Sequence, residues 1–266
     1  MFTFSIAQWQ GWAENLVDPQ EWERWARAPF CPLGGKPKTS KLGFLPPIQR
    51  RRLSTLARGV FECAWPLAEK RRRNAPLVFA SRHGETRRSF QLLQTLAAGE
   101  PLSPTSFCLS VHNAIAAQWS IMRGETAESV ALAAEDDGLE HAFIEAVLML
   151  RAGHEEVLVV VAEERPPSAY ARWIADVPHS YVTAFQLRSG NDWSLTLNPV
   201  VPSPTKLTRD TDSMQLAPPP TPLWPNPLNL LRHLLLGTLS WQHAGANSPR
   251  RWRWTRNSTP SGQPTA

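Results

Sequence analysis

The spacing of apolar and polar positions along the chain predicts an alternation of short strands and amphipathic helices. Residues 48–70 place Leu53, Leu56 and Val60 at intervals of three and four, which is typical of one buried helical face. The run at 156–162 is rich in Val throughout, which predicts a strand buried on both faces. Periodicity likewise predicts helices over 11–28, 86–98, 111–122 and 139–151, and strands over 2–7, 76–81 and 128–134.

The order of these elements predicts the fold class. Strand, helix and strand joined by short connections are the signature of crossover units in a parallel sheet. We therefore expect an α/β fold with a mainly parallel sheet and flanking helices. Composition changes after about residue 199, and residues 218–227 hold six prolines in ten positions, which breaks regular structure. The expected division is a domain at 1–199, a Pro-rich linker at 200–227, a short helical segment at 228–246 and a flexible basic tail at 247–266.

The net charge of +5 comes mainly from short basic runs at 50–52, 70–73 and 250–253. Such runs usually mark a solvated face. A basic scaffold that binds nucleic acid or a membrane is an alternative, and strong salt-dependent binding to nucleic acid would favour it. An acidic protein partner explains this charge better, because the charge would attract such a partner over a distance. We therefore predict no nucleic-acid partner.

The three cysteines, Cys31, Cys63 and Cys108, are odd in number and show no C-x-x-C spacing. This pattern argues against a disulfide framework and a zinc site, and it indicates a reducing compartment. The first residues lack the basic and apolar regions of a signal peptide, and no apolar window approaches the ~18 residues that span a bilayer. The sequence therefore predicts a cytoplasmic protein with no metal, no cofactor and no membrane span.

Two segments carry a family resemblance. Residues 102–114 read Leu-Ser-Pro-Thr-Ser-Phe-Cys-Leu-Ser-Val-His-Asn-Ala, and residues 128–138 read Glu-Ser-Val-Ala-Leu-Ala-Ala-Glu-Asp-Asp-Gly. Over about residues 1–200 the chain resembles the N-terminal half of β-ketoacyl synthases, and within them the shortened synthase-like subunits of aryl-polyene and type II polyketide systems. The resemblance implies a thiolase-like fold.

The resemblance also implies a role without catalysis. Active synthases have T-A-C-x-S/T-G in the second segment, and Glu135 takes the place of the nucleophilic cysteine. Condensation needs a thiolate that stores the acyl group as a thioester, which a carboxylate cannot do. Segments resembling the two family histidine motifs, H-G-T-x-T and N-x-K-x-x-x-G-H, do not occur in the sequence.

The resemblance therefore implies a chain-length-factor-like subunit. It would pair with a full-length ketosynthase as a heterodimer, shape the acyl tunnel of that partner, and meet acyl carrier protein through the complex. The product would come from polyene, polyketide or fatty-acid-like chain elongation.

The resemblance places a tunnel gate in the helix that starts near residue 111. His112, Ile115 and Trp119 recur there at intervals of three and four, which predicts one helical face. Trp119 is the largest of the three and the first candidate for the plug of the tunnel. The alternative is that Trp119 belongs to the core of an interface, where aromatic residues are enriched.

Other interpretations remain open for the candidate residues. Glu135 is also explained as an acid at a helix N-terminus, or as a hydrogen-bonding contact to the partner subunit. A degenerate acyl-thioester enzyme is the alternative function, either a decarboxylase that uses Glu135 or a thioesterase-like hydrolase that uses Cys108 or Ser81. The G-x-S-x-G pattern of a hydrolase is absent, and Cys108 is more simply explained as a small core residue.

Overall fold

The computed structural model contains one mixed sheet with helices packed on it. It describes residues 1–16, 18–32, 42–69, 74–198, 224–245 and 250–257. The strands are β1 (Phe2–Ala13), β2 (Leu77–Ala80), β3 (Ser129–Leu132), β4 (Glu156–Glu163), β5 (Tyr181–Asn198), β6 (Ser240–Ala244) and β7 (Arg251–Arg256). The helices are α1 (Pro19–Arg27), α2 (Pro47–Arg52), α3 (Thr55–Glu69), α4 (Thr86–Ala97), α5 (Pro104–Cys108), α6 (Ala114–Arg123), α7 (Gly138–Arg151) and α8 (Asn226–Leu236).

The sheet has the strand order β3-β2-β4-β5-β7-β6, and β1 also pairs with β5. Strand β2 lies parallel to β3 and β4, whereas the other pairings of the described strands are antiparallel. The expectation of a mainly parallel sheet is therefore wrong. Helical crossovers join β2, β3 and β4, but the connection from β4 to β5 holds only the short 3-10 turn Ser168–Tyr170, and β5 returns antiparallel beside β4.

Strand β4 separates two apolar cores. All its residues are buried, and Val157, Val159 and Val161 face the core under α7, whereas the residues between them face the core under α3. The prediction of a strand buried on both faces is confirmed. This placement fixes the carboxyl end of β4 in the interior, where it carries part of the candidate site.

The first strand is longer than the sequence indicates. Strand β1 continues to Ala13 because its residues pair with β5 along most of its length, so the predicted helix over 11–28 is wrong at its start. Helix α1 begins after Asp18, whose carboxylate accepts a hydrogen bond from the Glu21 amide at 2.8 Å. The capping box thus sets where the helix begins.

The segment after the proline-rich region belongs to the same sheet. Helix α8 packs against α1, and β7 pairs with the second half of β5. In β7, Trp252 and Trp254 are buried and Arg251 and Arg253 are exposed, which is the alternation of a strand. The expected helical segment therefore also contains β6, and the expectation of a flexible tail is wrong for Arg251–Arg256. The expected linker at 200–227 lies outside the described residues as far as 223.

Among the helices of the described segments, none combines the length and the apolar character needed to cross a membrane.

Candidate functional site

The candidate site lies where β2, β3 and β4 end side by side. Because these strands are parallel, their carboxyl ends meet at one edge of the sheet. Ser81 and Arg82 follow β2, Glu135 and Asp136 follow β3, and Glu163 closes β4. Residues far apart in the sequence thereby line one cleft.

Glu163 is a buried carboxylate at the base of this cleft. It accepts hydrogen bonds from the Arg82 amide, from the His83 amide at 3.3 Å and from the Ser81 hydroxyl at 3.2 Å. Burial raises the pKa of Glu163 to about 7, although these three donors favour the ionised form. The group therefore exchanges a proton near neutral pH, and it holds the turn after β2 against the end of β4.

A network of charged side chains crosses the mouth of the cleft. The Arg82 guanidinium lies 2.9 Å from Asp136 and 3.2 Å from Asp176, and His83 Nε2 lies 3.1 Å from Asp176. Burial alone would raise the pKa of Asp176, but the hydrogen bond and charge of His83 outweigh it and lower the pKa. The network ties the turns after β2 and β3 to the loop before β5.

Glu135 points to a different environment from its neighbours. It is exposed, and within the described residues its carboxylate has no hydrogen-bond partner. Helix α7 begins at Gly138 after Asp137, and neither Asp137 nor Glu135 makes a side-chain capping bond. Among the described residues, no hydrogen-bonding base or donor accompanies this carboxylate for acid or base chemistry, and Arg250 interacts with it through its charge.

The C-terminal segment is bound to the start of α7 by two polar clusters. In the first, Arg250 donates to Asp137 at 2.6 and 3.1 Å, and the Trp252 indole donates to the same carboxylate at 3.1 Å. Burial would raise the pKa of Asp137, but the hydrogen bonds from Arg250 and Trp252 outweigh it and lower the pKa. The basic run at 250–253 therefore contains a structural ion pair.

The second cluster surrounds the buried carboxylate of Glu140 on α7. Its Oε1 accepts hydrogen bonds from Asn226 Nδ2 at 2.6 Å and from Trp254 Nε1 at 2.9 Å, and it lies 3.1 Å from His243 Nδ1. Burial would lower the pKa of His243, but Glu140 outweighs it and raises the pKa. The imidazolium form of His243 is thus stabilised by the buried carboxylate.

A cavity of about 310 Å³ opens between the strand ends and the loop that precedes α8. Its wall includes the side chains of Arg82, Glu135, Asp136, Glu163, Asp176, Tyr181 and Trp224. Sequence reasoning identified Glu135 but not Asp176, Tyr181 or Trp224, because these residues follow no local motif. Glu163 was recognisable only as the acid that closes a buried strand.

The structure separates the three expected gate residues. Helix α6 begins at Ala114, so the helix is shorter at its start than predicted and His112 precedes it. His112 Nε2 lies 2.7 Å from the Ser81 carbonyl oxygen, to which it donates. Ile115 and Trp119 are buried in this chain, and the Trp119 indole donates to Glu125 at 3.3 Å and packs edge-on against Phe61.

The candidate nucleophiles of the alternative enzyme lack a histidine base among the described residues. The Ser81 hydroxyl donates to Glu163 and accepts from the Gly84 amide at 2.8 Å. Cys108 is exposed, so its expected place in the core is wrong. Within the described ranges, no imidazole hydrogen-bonds to the Ser81 hydroxyl or the Cys108 thiol, which a Ser-His or Cys-His dyad requires.

The described part of the chain contains no cluster of side chains that could form a metal site. No group of three or more His, Cys, Asp or Glu side chains there is placed to hold a metal ion.

Comparisons with known proteins assign the fold. A chain of the complex between the ketosynthase ApeO and its chain length factor ApeC from Xenorhabdus doucetiae is similar at 27% identity and a TM-score of 0.78, covering 96% of this chain and 100% of that one. The ishigamide ketosynthase/chain length factor is similar at 15% identity and a TM-score of 0.58, covering 75% and 68%. A β-ketoacyl synthase from Burkholderia phymatum STM815 is similar at 14% identity and a TM-score of 0.51, covering 71% and 60%. No curated protein sequence matches the chain.

The fold is therefore that of the thiolase-like ketosynthases. Residues 22–255 match the family model described as β-ketoacyl synthase, N-terminal domain, and the chain belongs to this family. The matched region includes β6 and most of β7, in agreement with their place in the sheet.

Proposed function

We propose that the chain is a non-catalytic, chain-length-factor-like subunit that pairs with a full-length ketosynthase and shapes its acyl tunnel. The observation that carries this proposal is the likeness, over nearly the whole of both chains, to a chain of a ketosynthase and chain length factor complex. The other ketosynthase structures compared above share only the fold with this chain.

The chemistry of the cleft supports a role without covalent catalysis. A carboxylate at the end of β3 cannot hold an acyl group as a thioester, and we propose that Glu135 stands where active synthases carry cysteine. Ser81 serves as a partner of Glu163, and Cys108 lies exposed at the end of α5. No observation favours the decarboxylase or the thioesterase-like hydrolase.

The edge of the sheet supports a partner strand. Among the described strands, β3 lies at the outer edge and pairs only with β2, so one side of its backbone is available for hydrogen bonds. A groove beside it is lined by Asn113, Ala116, Ala117, Ser129 and Ala131, most of which are small residues. We propose that a strand of the ketosynthase pairs with β3 and that its side chains enter this groove.

The tunnel gate belongs to the segment that contains α5 and α6. His112, Ile115 and Trp119 remain candidates for the gate. The two buried residues, Ile115 and Trp119, would act indirectly, by holding α6 against the core of this chain. Phe107 and Val111 present large exposed apolar side chains in the same segment. We propose that Phe107, the larger of the two, contacts the partner and closes its tunnel.

Acyl carrier protein would reach this chain through the complex. The excess of positive charge favours an acidic carrier, and the growing chain would be of the polyene, polyketide or fatty-acid type. The cytoplasm is the proposed compartment, where the three free cysteines stay reduced.

Co-expression with a full-length ketosynthase encoded beside this chain tests the proposal. We expect a 1:1 complex by size-exclusion chromatography and native mass spectrometry, with condensation that depends on the cysteine of the ketosynthase. A monodisperse chain that has no affinity for the synthase, or that turns over acyl thioesters by itself, would reject the proposal.

A further inference from the structure

The cavity at the strand ends has a strongly asymmetric charge. Among the described residues that border it are four carboxylates and one guanidinium, that of Arg82. Glu163 is only partly ionised near neutral pH, but the other three carboxylates still outnumber this cation. Anions, which include carboxylic acids and phosphates, are therefore disfavoured inside it.

Most polar groups on the wall already pair with one another. Arg82 bridges Asp136 and Asp176, and Glu163 accepts three hydrogen bonds from the turn after β2. These pairs hold the wall in place, and a ligand that displaced them would leave buried charges without partners. A ligand must instead bind to polar groups of the wall that are not paired with one another.

Tyr181 supplies such a group. Its side chain lines the cavity and only 4% of it is exposed, yet within the described residues the phenolic oxygen has no hydrogen-bond partner. Burial, together with the nearby charges of Glu163 and Asp176, raises the pKa of Tyr181 well above its usual value, so the hydroxyl is neutral. Its oxygen reaches the open space of the cavity, where it can accept a hydrogen bond from a bound donor.

The remaining surface of the cavity is apolar. Leu139 and Val161 lie on its inner wall, and Trp224 and Pro225 on the side of the loop before α8. With a volume of about 310 Å³, the cavity is at the small end of ligand pockets. It suits a short hydrocarbon chain that carries one hydrogen-bond-donating head.

We propose that this cavity is a binding site for a primary alkylammonium ion, whose head donates to the Tyr181 hydroxyl oxygen beside Glu163 and Asp176 and whose chain packs against Leu139 and Trp224. The ligand fits the two features together, because an ammonium group is both a cation and a donor of three hydrogen bonds. The cavity lies apart from the proposed gate residues of α5 and α6, which do not line it.

Three probes of equal chain length and different charge test the proposal: n-hexylamine, n-hexanol and n-hexanoate. Binding to the full chain is measured by titration calorimetry at pH 7, with the ketosynthase present in every sample if the chain requires it. We expect saturable binding of hexylamine, binding of hexanol at least tenfold weaker, and no binding of hexanoate. Hexylamine should also raise the unfolding temperature, because it binds only the folded state.

Two variants assign the binding to the cavity. Tyr181→Phe removes only the hydroxyl, and we expect it to weaken hexylamine binding about tenfold, since a hydrogen bond to a charged group is lost. The same variant without ligand should unfold at about the same denaturant concentration as the wild type, because the hydroxyl has no hydrogen-bond partner among the described residues to lose. Ala134→Leu fills the cavity and should abolish binding, whereas Glu100→Gln, a change of an exposed carboxylate elsewhere, should leave it unchanged.

Equal affinity for hexylamine and hexanol would overturn the proposal, as would wild-type affinity in both Tyr181→Phe and Ala134→Leu. Absence of hexylamine binding at millimolar concentration would overturn it as well. A Tyr181→Phe chain that is less stable without ligand would show that the hydroxyl already has a partner, and it too would count against the site.

Discussion

Glu135 is a single residue whose surroundings set what it can do. Its carboxylate is exposed and has no hydrogen-bond partner among the described residues, whereas the buried Glu163 accepts three. Burial raises the pKa of Glu163 to about 7, because desolvation disfavours its charge. Glu135, which the family resemblance singles out, therefore has the simpler chemical surroundings of the two acids.

We predict that Glu135→Gln leaves condensation by the complex within about twofold of the wild type, because no proton transfer depends on this carboxylate. Glu135→Cys in the chain alone should create no synthase activity, since the sequence contains neither histidine motif. Condensation is measured by product mass spectrometry on the reconstituted pair. A Glu135→Gln complex that assembles normally but makes no product would give this residue a catalytic role.

His179 makes folding sensitive to acid. It is fully buried, and burial lowers its pKa from the usual 6.5 to about 4. A depressed folded-state pKa contributes stability that is present above about pH 6.5 and is lost as the pH falls toward 4. We predict that His179→Leu loses about 3 kcal/mol less stability than the wild type across that window. Denaturant unfolding at several pH values measures the difference, and equal losses in both proteins would contradict it.

Strand β7 is an ordered, partly buried strand although its basic composition is typical of a solvated tail. Its alternating Arg and Trp residues have the charge of a solvated tail, but the two Trp side chains complete a core with β5 and α7. Trp254 contacts Phe4, Phe143 and Trp241, and it also donates to Glu140. Burial of these two large rings favours an ordered strand here over a solvated tail.

We predict that Trp254→Ala destabilises the chain by about 3–5 kcal/mol, because it leaves a cavity and removes a hydrogen bond to a buried carboxylate. Trp173→Ala is the matched control, since that side chain is 64% exposed, and it should cost less than about 1 kcal/mol. Denaturant unfolding monitored by circular dichroism compares them. Similar stabilities for the two variants would show that β7 contributes little to the fold.

In the segment of α5 and α6, we expect different residues to gate the tunnel and to support the fold. Phe107 is 60% exposed, whereas Trp119 is buried against Phe61 and beneath Arg123. We predict that Phe107→Ala leaves stability within about 0.5 kcal/mol and lengthens the product by at least one two-carbon unit. Trp119→Ala should cost about 3–5 kcal/mol and affect length only by moving α6.

Mass spectrometry of products from the reconstituted pair decides between these two residues. An unchanged length distribution from an intact Phe107→Ala complex would remove Phe107 from the gate. A longer product from Trp119→Ala, with stability unaffected, would restore Trp119 as the plug.

At the scale of the whole molecule, we propose that the edge of β3, open among the described strands, determines how the chain assembles. An open strand edge beside a groove of small residues favours pairing with another strand. We predict that Ala117→Arg, which fills the groove, abolishes the complex with the ketosynthase while the chain keeps its circular dichroism spectrum. Gln94→Arg on the exposed surface of α4 adds the same charge elsewhere and should leave assembly intact. Size-exclusion chromatography after co-expression gives the result, and an intact Ala117→Arg heterodimer would place the interface elsewhere.

The sequence by itself determined the features that depend on neighbouring residues. Apolar periodicity was enough to find α3, α7 and the doubly buried β4, because the spacing of apolar residues within an element shows which of its faces are buried. The two motif segments were enough to indicate the family. The charge predicted an acidic protein partner and the cysteine spacing a reducing compartment. Neither indicated how residues are placed in space.

Only the tertiary structure decided how distant residues meet. Asp137 and Arg250, Glu140 and His243, and Glu163 and Arg82 are each separated by about 80 to 113 positions. Strand direction and the place of β7 depend on such pairings, because a strand shows which face is apolar but not which neighbour completes its hydrogen bonds. For the same reason the cavity, with the unpaired hydroxyl of Tyr181, exists only once three strand ends and the loop before α8 are brought together.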